Sequence, residues 1–295
     1  MSAHTTTPEP GASLMRRASR ALHRHPRLRL WLLLTLPLVW LVVAYVGSLA
    51  SLFLTAFFTI DQFTQDVVRT LTLENFEEIF RTRVYRTVAV RTVLVATAVT
   101  AVDAVIAVPM AFFMAKVAKP WARRALVVAV LMPLWAGYLV KAYAWRTILA
   151  PNAGVLEKSV GWSPGYGLTA TTILLAYLWL PYMILPIFAG LERLPDSLLE
   201  ASADLGATAG RTFRSVVLPI LKPAVIAGSI FTFSLTLGDY IAVDIVGGKT
   251  QLLGSVVYDN FGANLPFAAA YATVPVMIMV VYLLVVRRSG ALENL

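Results

Sequence analysis

L-E-R-L-P-D-S-L-L-E-A-S-A-D-L-G-A-T-A-G-R-T-F-R-S-V-V-L-P-I-L-K-P, residues 191–223, is a charged, cappable stretch set between two long apolar runs. Ser197 stands three residues before Glu200, the spacing of a capping box, in which each side chain meets a backbone N–H left free at a helix start. A helix is expected to open near Leu198 and to close at Gly206, because glycine tolerates the left-handed conformation that ends helices. That helix would have about 8 residues and be roughly 12 Å long. A second is expected from Thr208 to just before Pro219, since the residue preceding a proline is pushed out of helical geometry. Two short helices meeting at a glycine, tied at both ends to apolar segments, make a compact lever.

Outward from this stretch the chain is apolar. Of its 295 residues 58% are hydrophobic and only 14% charged, with mean hydropathy +0.73. That composition is foreign to a soluble domain and indicates a polytopic membrane protein. The net charge of +9 does not point to nucleic acid, because the basic residues are dispersed at the ends of apolar runs and form no single stripe. The absence of cysteine excludes disulfides, thiolate metal sites and cysteine nucleophiles. Six spans are expected at about residues 30–58, 88–115, 125–149, 168–191, 223–246 and 265–286, each able to cross a hydrocarbon layer of ~30 Å. They form one transmembrane domain, residues 30–288, with the loop 192–222 inside it. Residues 1–29, with Arg16, Arg17, Arg20, Arg24, Arg27 and Arg29, read as a mobile basic tail on an anionic leaflet, and residues 289–295 as a second tail. The run 30–58 is too long for a signal peptide and is read as the first span. With both termini inside, sixteen of the 25 Lys and Arg residues fall on inner segments and nine on outer ones, the bias that sets membrane orientation. The loop 192–222 is then cytoplasmic.

Glu200-Ala201-Ser202, three residues, Gly206, nine residues, then Val216-Val217-Leu218-Pro219 resembles the EAA loop of bacterial ABC importer permeases, E-A-A-x3-G-x9-I-x-L-P. The spacing matches at every fixed position; Ser202 replaces alanine and Val216 replaces isoleucine. The resemblance implies an all-α fold of the type I ABC importer permease class, in a bacterial inner or plasma membrane with both termini cytoplasmic. It also implies that the loop is a coupling helix docking in a groove of a cytoplasmic ATPase, with Glu200, Ala201, Ser202, Gly206, Phe213, Leu218 and Pro219 as the coupling residues. The partners implied are a second permease subunit, two ATPase subunits and an external solute-binding protein. ATP hydrolysis is expected on the partner and no catalysis on this chain. Gly247-Gly248-Lys249-Thr250 resembles the end of a phosphate-binding loop, but the first glycine of that pattern would fall on Val243 and no strand precedes it, so a turn is expected. The three histidines, His4, His23 and His25, all lie in the N-terminal tail, and no cofactor or metal is expected.

Residues 132–149, M-P-L-W-A-G-Y-L-V-K-A-Y-A-W-R-T-I-L, read by themselves as an interfacial aromatic belt with Lys141 and Arg146 snorkelling. The run L-V-K-A-Y-A-W with later Gly154, L-E-N-F upstream and G-D-Y, G-G-K-T and P-F-A-A-A downstream, is similar to spermidine/putrescine-type permeases, especially the first of their two membrane subunits. A polyamine is the cargo this implies. Another small solute (an amino-acid-like compound, ferric iron or an organophosphonate) stays open, as does an ATP-independent secondary transporter, although no inverted repeat with paired broken helices is visible. Acids inside a membrane are costly and mark function by default. Asp103 falls near mid-membrane with Thr97 and Thr100 on a similar face, and Asp239 reaches the same outer depth as Lys141, with which an ion pair is expected as the structural alternative. A polycation path needs carboxylates and aromatic faces, which makes Asp103, Asp239, Tyr240, Trp135 and Tyr138 the candidate path residues. In residues 71–80, Leu73, Phe76, Ile79 and Phe80 recur on one side of an expected interfacial helix.

Overall fold

Apolar segments in a medium without water must satisfy their own backbone, and helices do so turn by turn. The computed structural model, which describes residues 26–61, 63–64 and 66–288, is built almost wholly of helices. Two units divide between Leu54 and Thr55. The first is a long helix: α1 (Pro26–Trp40) runs through a wider π-helical turn, Leu41–Val46, towards α2 (Gly47–Thr55). It is apolar along its length from Leu33, as a membrane span must be. It opens four residues before the expected span, so residues 26–29 are helical. The rest of the expected N-terminal tail, with its three histidines, and the C-terminal tail 289–295 lie outside the described residues.

The second unit begins with a short antiparallel hairpin, β1 (Thr59–Ile60) and β2 (Val67–Val68). In its turn the Asp61 carboxylate accepts hydrogen bonds from the backbone N–H groups of Phe63 and Thr64, which hold that carboxyl below its usual range. Next comes α3 (Glu74–Arg81), and its buried side differs from the expected one. Asn75 and Ile79 are buried whereas Leu73 and Phe80 are exposed. The Asn75 amide donates to the carbonyls of Ala56 and Phe58 at 3.1 and 2.8 Å, and that pair of bonds fixes the rotation of the helix.

The remaining helices are α4 (Arg83–Phe112), α5 (Pro120–Trp135), α6 (Tyr138–Ile148), α7 (Val155–Val160), α8 (Leu168–Glu192), α9 (Asp196–Asp204), α10 (Ala209–Thr212), α11 (Leu218–Gly238), α12 (Ile241–Val246), α13 (Leu253–Phe261) and α14 (Leu265–Arg288). At the centre α4, α8 and α11 pack on one another. Helices α4 and α8 share an apolar cluster around Val95, Val99, Leu174 and Leu178, and all three helices share one around Ala107, Ala111, Met183, Ile187 and Leu221. Between them lies a polar waist, where Thr232 Oγ1 donates to Thr100 Oγ1 at 3.2 Å and Asp103 is fully buried.

Among the described residues, five helices are long and apolar enough to cross a membrane, and a sixth crossing exists only if the pair α5 and α6 counts as one. Two expected spans are therefore interrupted. The third bends by 95° between Trp135 and Tyr138, where Ala136 and Gly137 adopt extended ψ angles of 136° and 139°. The fifth ends at Gly238; Asp239 is extended, and the chain re-enters as α12. A third difference is a continuation. The helix expected to stop before Pro219 runs on from Ala209 to Gly238, through a wide turn at Phe213–Val217. Pro219 falls in the first turn after it, where hydrogen bonding has already shifted and a residue without an N–H does least harm.

Candidate functional site

The loop 192–222 is an elbow. Helix α9 closes with the N–H of Gly206 bonded to the carbonyl of Ala203 at 2.8 Å and that of Ala207 to Ser202 at 3.1 Å, the double bond pattern that satisfies the last carbonyls of a helix. Gly206 carries the turn with φ of +76°, and since nothing lies within 4 Å of where a Cβ would stand, conformation and not space demands glycine there. The expected capping box is not formed. Pro195 precedes the first helical residue and no side chain caps it, so Ser197 and Glu200 are both free to face outward. The α9 start is held from outside instead: Lys116, in the π-helical turn Phe113–Val117 that follows α4, donates to the Leu194 carbonyl and to the Asp196 carboxylate, both at 2.6 Å. One turn earlier Arg123 pairs with Glu192 at 2.8 Å and lies over the Phe188 ring.

Of the expected coupling residues, Glu200 and Ala201 are exposed on α9, and Ser202 is turned inward. Its hydroxyl bonds that of Thr212 at 2.8 Å, joining the two arms of the elbow, which gives the departure from alanine a structural use. Phe213 meets Phe112 edge to face at 6.0 Å and anchors the second arm on α4. Leu218 and Pro219 are exposed; Pro219 lines a groove of about 540 Å³ with Pro186, Gly190 and Pro223. Sequence reading missed Leu198 on α9 and Leu205 at its C-terminal cap, which are exposed, Leu205 by 88%. Their signal was available: Leu198, Ala201 and Leu205 recur at helical spacing on the charged side of a short amphipathic segment.

The second site, at the other end of the helix that leaves the elbow, is a clasp at the break of α11. One Asp239 carboxylate oxygen accepts from the Tyr138 hydroxyl, and the other accepts from the Ala242 N–H at 2.8 Å, capping α12. Asp239 is only 9% exposed. The expected pairing with Lys141 is not made, because α6 turns the Tyr138 hydroxyl onto the carboxylate, and among the described residues Lys141 has no ion pair. From Tyr138 a row of rings continues along α8 and across to α11: Trp179 at 6.2 Å, then Tyr182 at 5.9 Å and Phe231 at 6.4 Å. The Trp179 indole N–H is buried without a hydrogen-bond partner. Behind the break, α13 comes so close that a Cβ on Gly254 would stand 2.7 Å from the Gly238 carbonyl oxygen and 2.8 Å from that of Asp239.

The five candidate path residues are not assembled in one place. Tyr138 and Asp239 touch. Tyr240 is next in the chain, but its ring stacks on Tyr258 at 4.4 Å. Trp135 is 91% exposed at the end of α5. Asp103 sits in the polar waist with both oxygens unbonded, and the Thr100–Thr232 contact places it about 15 Å from Asp239 along the helix axes. Trp179, Tyr182, Phe231 and Gly254 were not singled out by sequence. Trp179 and Tyr182 are spaced by three on a helix and so share a face, whereas nothing local marks Gly254 or Phe231.

Comparison with known proteins agrees with this architecture. Over 92% of its length the chain is 42% identical to the inner membrane ABC transporter permease protein YdcU of Escherichia coli strain K12, covering 93% of that protein. It is 31% identical to the spermidine/putrescine transport system permease protein PotB of Haemophilus influenzae, over 76% of this chain and 81% of that one. The fold resembles a bacterial ABC transporter involved in the import of the acidic polysaccharide alginate, with TM-score 0.66, 15% identity and 92% and 98% of the two chains covered. A second likeness, to the MetNI methionine ABC transporter in inward-facing conformations, has TM-score 0.55 and 19% identity over 72% and 99% of the chains. Residues 107–292, which hold the elbow, the clasp and the helix between them, match the binding-protein-dependent transport system inner membrane component, and the chain belongs to that family.

Proposed function

We propose that this permease carries a polyamine, that its elbow docks on a separate cytoplasmic ATPase, and that the Asp239 clasp is its cargo-side element. One observation carries the reading. A single helical rod of 30 residues, Ala209–Gly238, starts at the elbow and ends at the clasp, spanning about 45 Å. A rotation imposed on Glu200, Ala201 and Leu205 at one end is passed to Gly238 along one continuous helix, which crosses the wide turn Phe213–Val217 and Pro223 on the way. The coupling set is Glu200, Ala201, Gly206, Leu218 and Pro219 with Leu198 and Leu205 added, while Ser202 and Phe213 hold the arms in place. ATP is hydrolysed on the partner, and a second permease and an external binding protein complete the assembly, with both termini cytoplasmic.

The polyamine cargo is supported by the spermidine/putrescine relative and by the chemistry of the clasp. A carboxylate attracts an ammonium group strongly in a low-dielectric setting, and each aromatic face adds about 0.5–2 kcal/mol, enough to guide a flexible polycation without trapping it. Tyr138, Trp179, Tyr182 and Phe231 supply such faces in series. Asp103, buried away from that row, is assigned to the waist and not to the path. The test is uptake by the assembled transporter in liposomes. ATP-dependent accumulation of labelled spermidine, competed by putrescine, is expected; uptake of only neutral or anionic solutes would end the polyamine reading, and uptake driven by an ion gradient without ATP would end the importer mechanism.

A further inference from the structure

At the end of α4 remote from the elbow, basic residues are out of place. Four of the nine Lys and Arg residues assigned to that side fall within residues 81–91, where membrane topology favours few. Three of them, Arg83, Arg86 and Arg91, line the mouth of a groove of about 770 Å³ whose walls are Val90, Leu94, Val95 and Ala98 of α4 with Leu168 and Thr172 of α8. Val90 and Leu94 are exposed along it. The three guanidinium groups make no ion pair with any carboxylate among the described residues, although α3 carries Glu74, Glu77 and Glu78 close by in sequence. Arg91 reaches only the Gln251 carbonyl, at 3.5 Å.

A cationic mouth over an apolar slot, at the end of a membrane-spanning helix, has the amphiphilic pattern of a phospholipid. From Arg91 to Ala98 the slot runs about 10 Å along the helix, within the depth of one leaflet, roughly 15 Å. Guanidinium groups bind phosphate oxygens bidentately, and zwitterionic lipid would leave part of this charge uncompensated. We infer that the groove formed by Arg83, Arg86, Arg91, Leu94 and Leu168 is a binding site for one anionic phospholipid, its phosphate at the arginines and an acyl chain along Val90, Leu94 and Ala98. Simple snorkelling of the arginines into water would require no such selectivity.

Native mass spectrometry of the purified full chain, titrated with phosphatidylglycerol or phosphatidylcholine, tests this. One phosphatidylglycerol is expected to be retained with at least tenfold preference. The combined change Arg83→Gln, Arg86→Gln and Arg91→Gln should bring the two lipids level, and Leu94→Trp, which fills the slot and leaves the charges, should weaken both. Helix content by circular dichroism must stay unchanged for either variant to count, and each variant tests a separate half of the site. Equal retention of both lipids by wild type, a preference that survives the triple change, or unaltered binding after Leu94→Trp would overturn the assignment. So would displacement by inorganic phosphate at concentrations equal to the lipid, which would make it a free-anion site. In the assembled transporter a benzophenone side chain at position 94 should crosslink to lipid; a crosslink to protein would give the groove to a neighbouring chain.

Discussion

The two ends of the helix Ala209–Gly238 are built by opposite rules. At the elbow, shape comes from the backbone: a left-handed glycine and a closed set of carbonyl bonds set the angle, and the side chains that matter are left exposed. At the clasp, shape comes from buried side chains, with Asp239 held by Tyr138 and by the α12 N-terminus and the backbone pressed against Gly254. An exposed surface on a fixed turn is suited to being grasped, and a buried carboxylate held by hydrogen bonds is suited to changing partners. The contrast fits the proposal of force reception at one end and cargo chemistry at the other.

The sharpest way to break that contrast is Gly206→Val. A β-branched residue at positive φ carries strain of order 1–3 kcal/mol and should straighten or unwind the elbow. Uptake should fall at least tenfold, with less ATPase recovered on affinity purification of this chain, while the clasp end keeps its fold. Normal uptake in an assembled Gly206→Val transporter would mean that the turn is incidental.

Next in size is Asp239→Asn. The amide oxygen still accepts from Ala242, so α12 stays capped, but the charge is gone; uptake normalised to assembled complex should drop about tenfold, a loss of roughly 1.4 kcal/mol. Adding Lys141→Met should rescue nothing, because Lys141 is not the partner of this carboxylate. Restoration of uptake by the double change would reinstate the ion pair and dissolve the difference between the two ends.

How much of this was legible in the sequence follows from the same contrast. The elbow was readable because turns are local: Gly206 was placed as a helix closer, and its φ is positive. Even there the capping box failed: the helix opens at Asp196, one residue before Ser197, no side chain caps it, and Lys116, about 80 positions away, ties the segment down by donating to the Leu194 carbonyl and the Asp196 carboxylate. The spans were legible from hydropathy, but their interruptions were not. Hydropathy is blind to the bend at Ala136-Gly137 and to the break at Asp239, because both sit inside runs whose mean composition stays apolar. Asp239 was recognised as costly, but its partner could not be chosen from depth alone, since Tyr138 and Lys141 are less than one helical turn apart on the same helix.

Smaller effects sharpen the picture. Gly254→Ala should press a methyl into the carbonyls of Gly238 and Asp239, costing about 1–3 kcal/mol and lowering the melting temperature of the complex by several degrees, with a larger fall in uptake than in ATPase association. Ser202→Ala removes only the hydroxyl bridge to Thr212, worth about 0.5–1.5 kcal/mol, and should appear as faster amide exchange across Ala209–Thr212 with near-normal uptake. An exchange pattern unchanged by Ser202→Ala would mean that the arms are held by Phe213 against Phe112 alone.

The central claim is that one continuous helix carries motion from elbow to clasp. Because the chain has no cysteine, one spin label each can be placed at Trp135→Cys, at the end of α5 before the bend, and at Lys249→Cys, in the turn after α12, in the assembled transporter. Pulsed electron resonance should report a distance between them that changes when ATP is added and stays fixed when Gly206→Val is present, even where the ATPase remains bound. A distance indifferent to ATP in the wild-type transporter, or an ATP response that persists undiminished through Gly206→Val, would contradict the account.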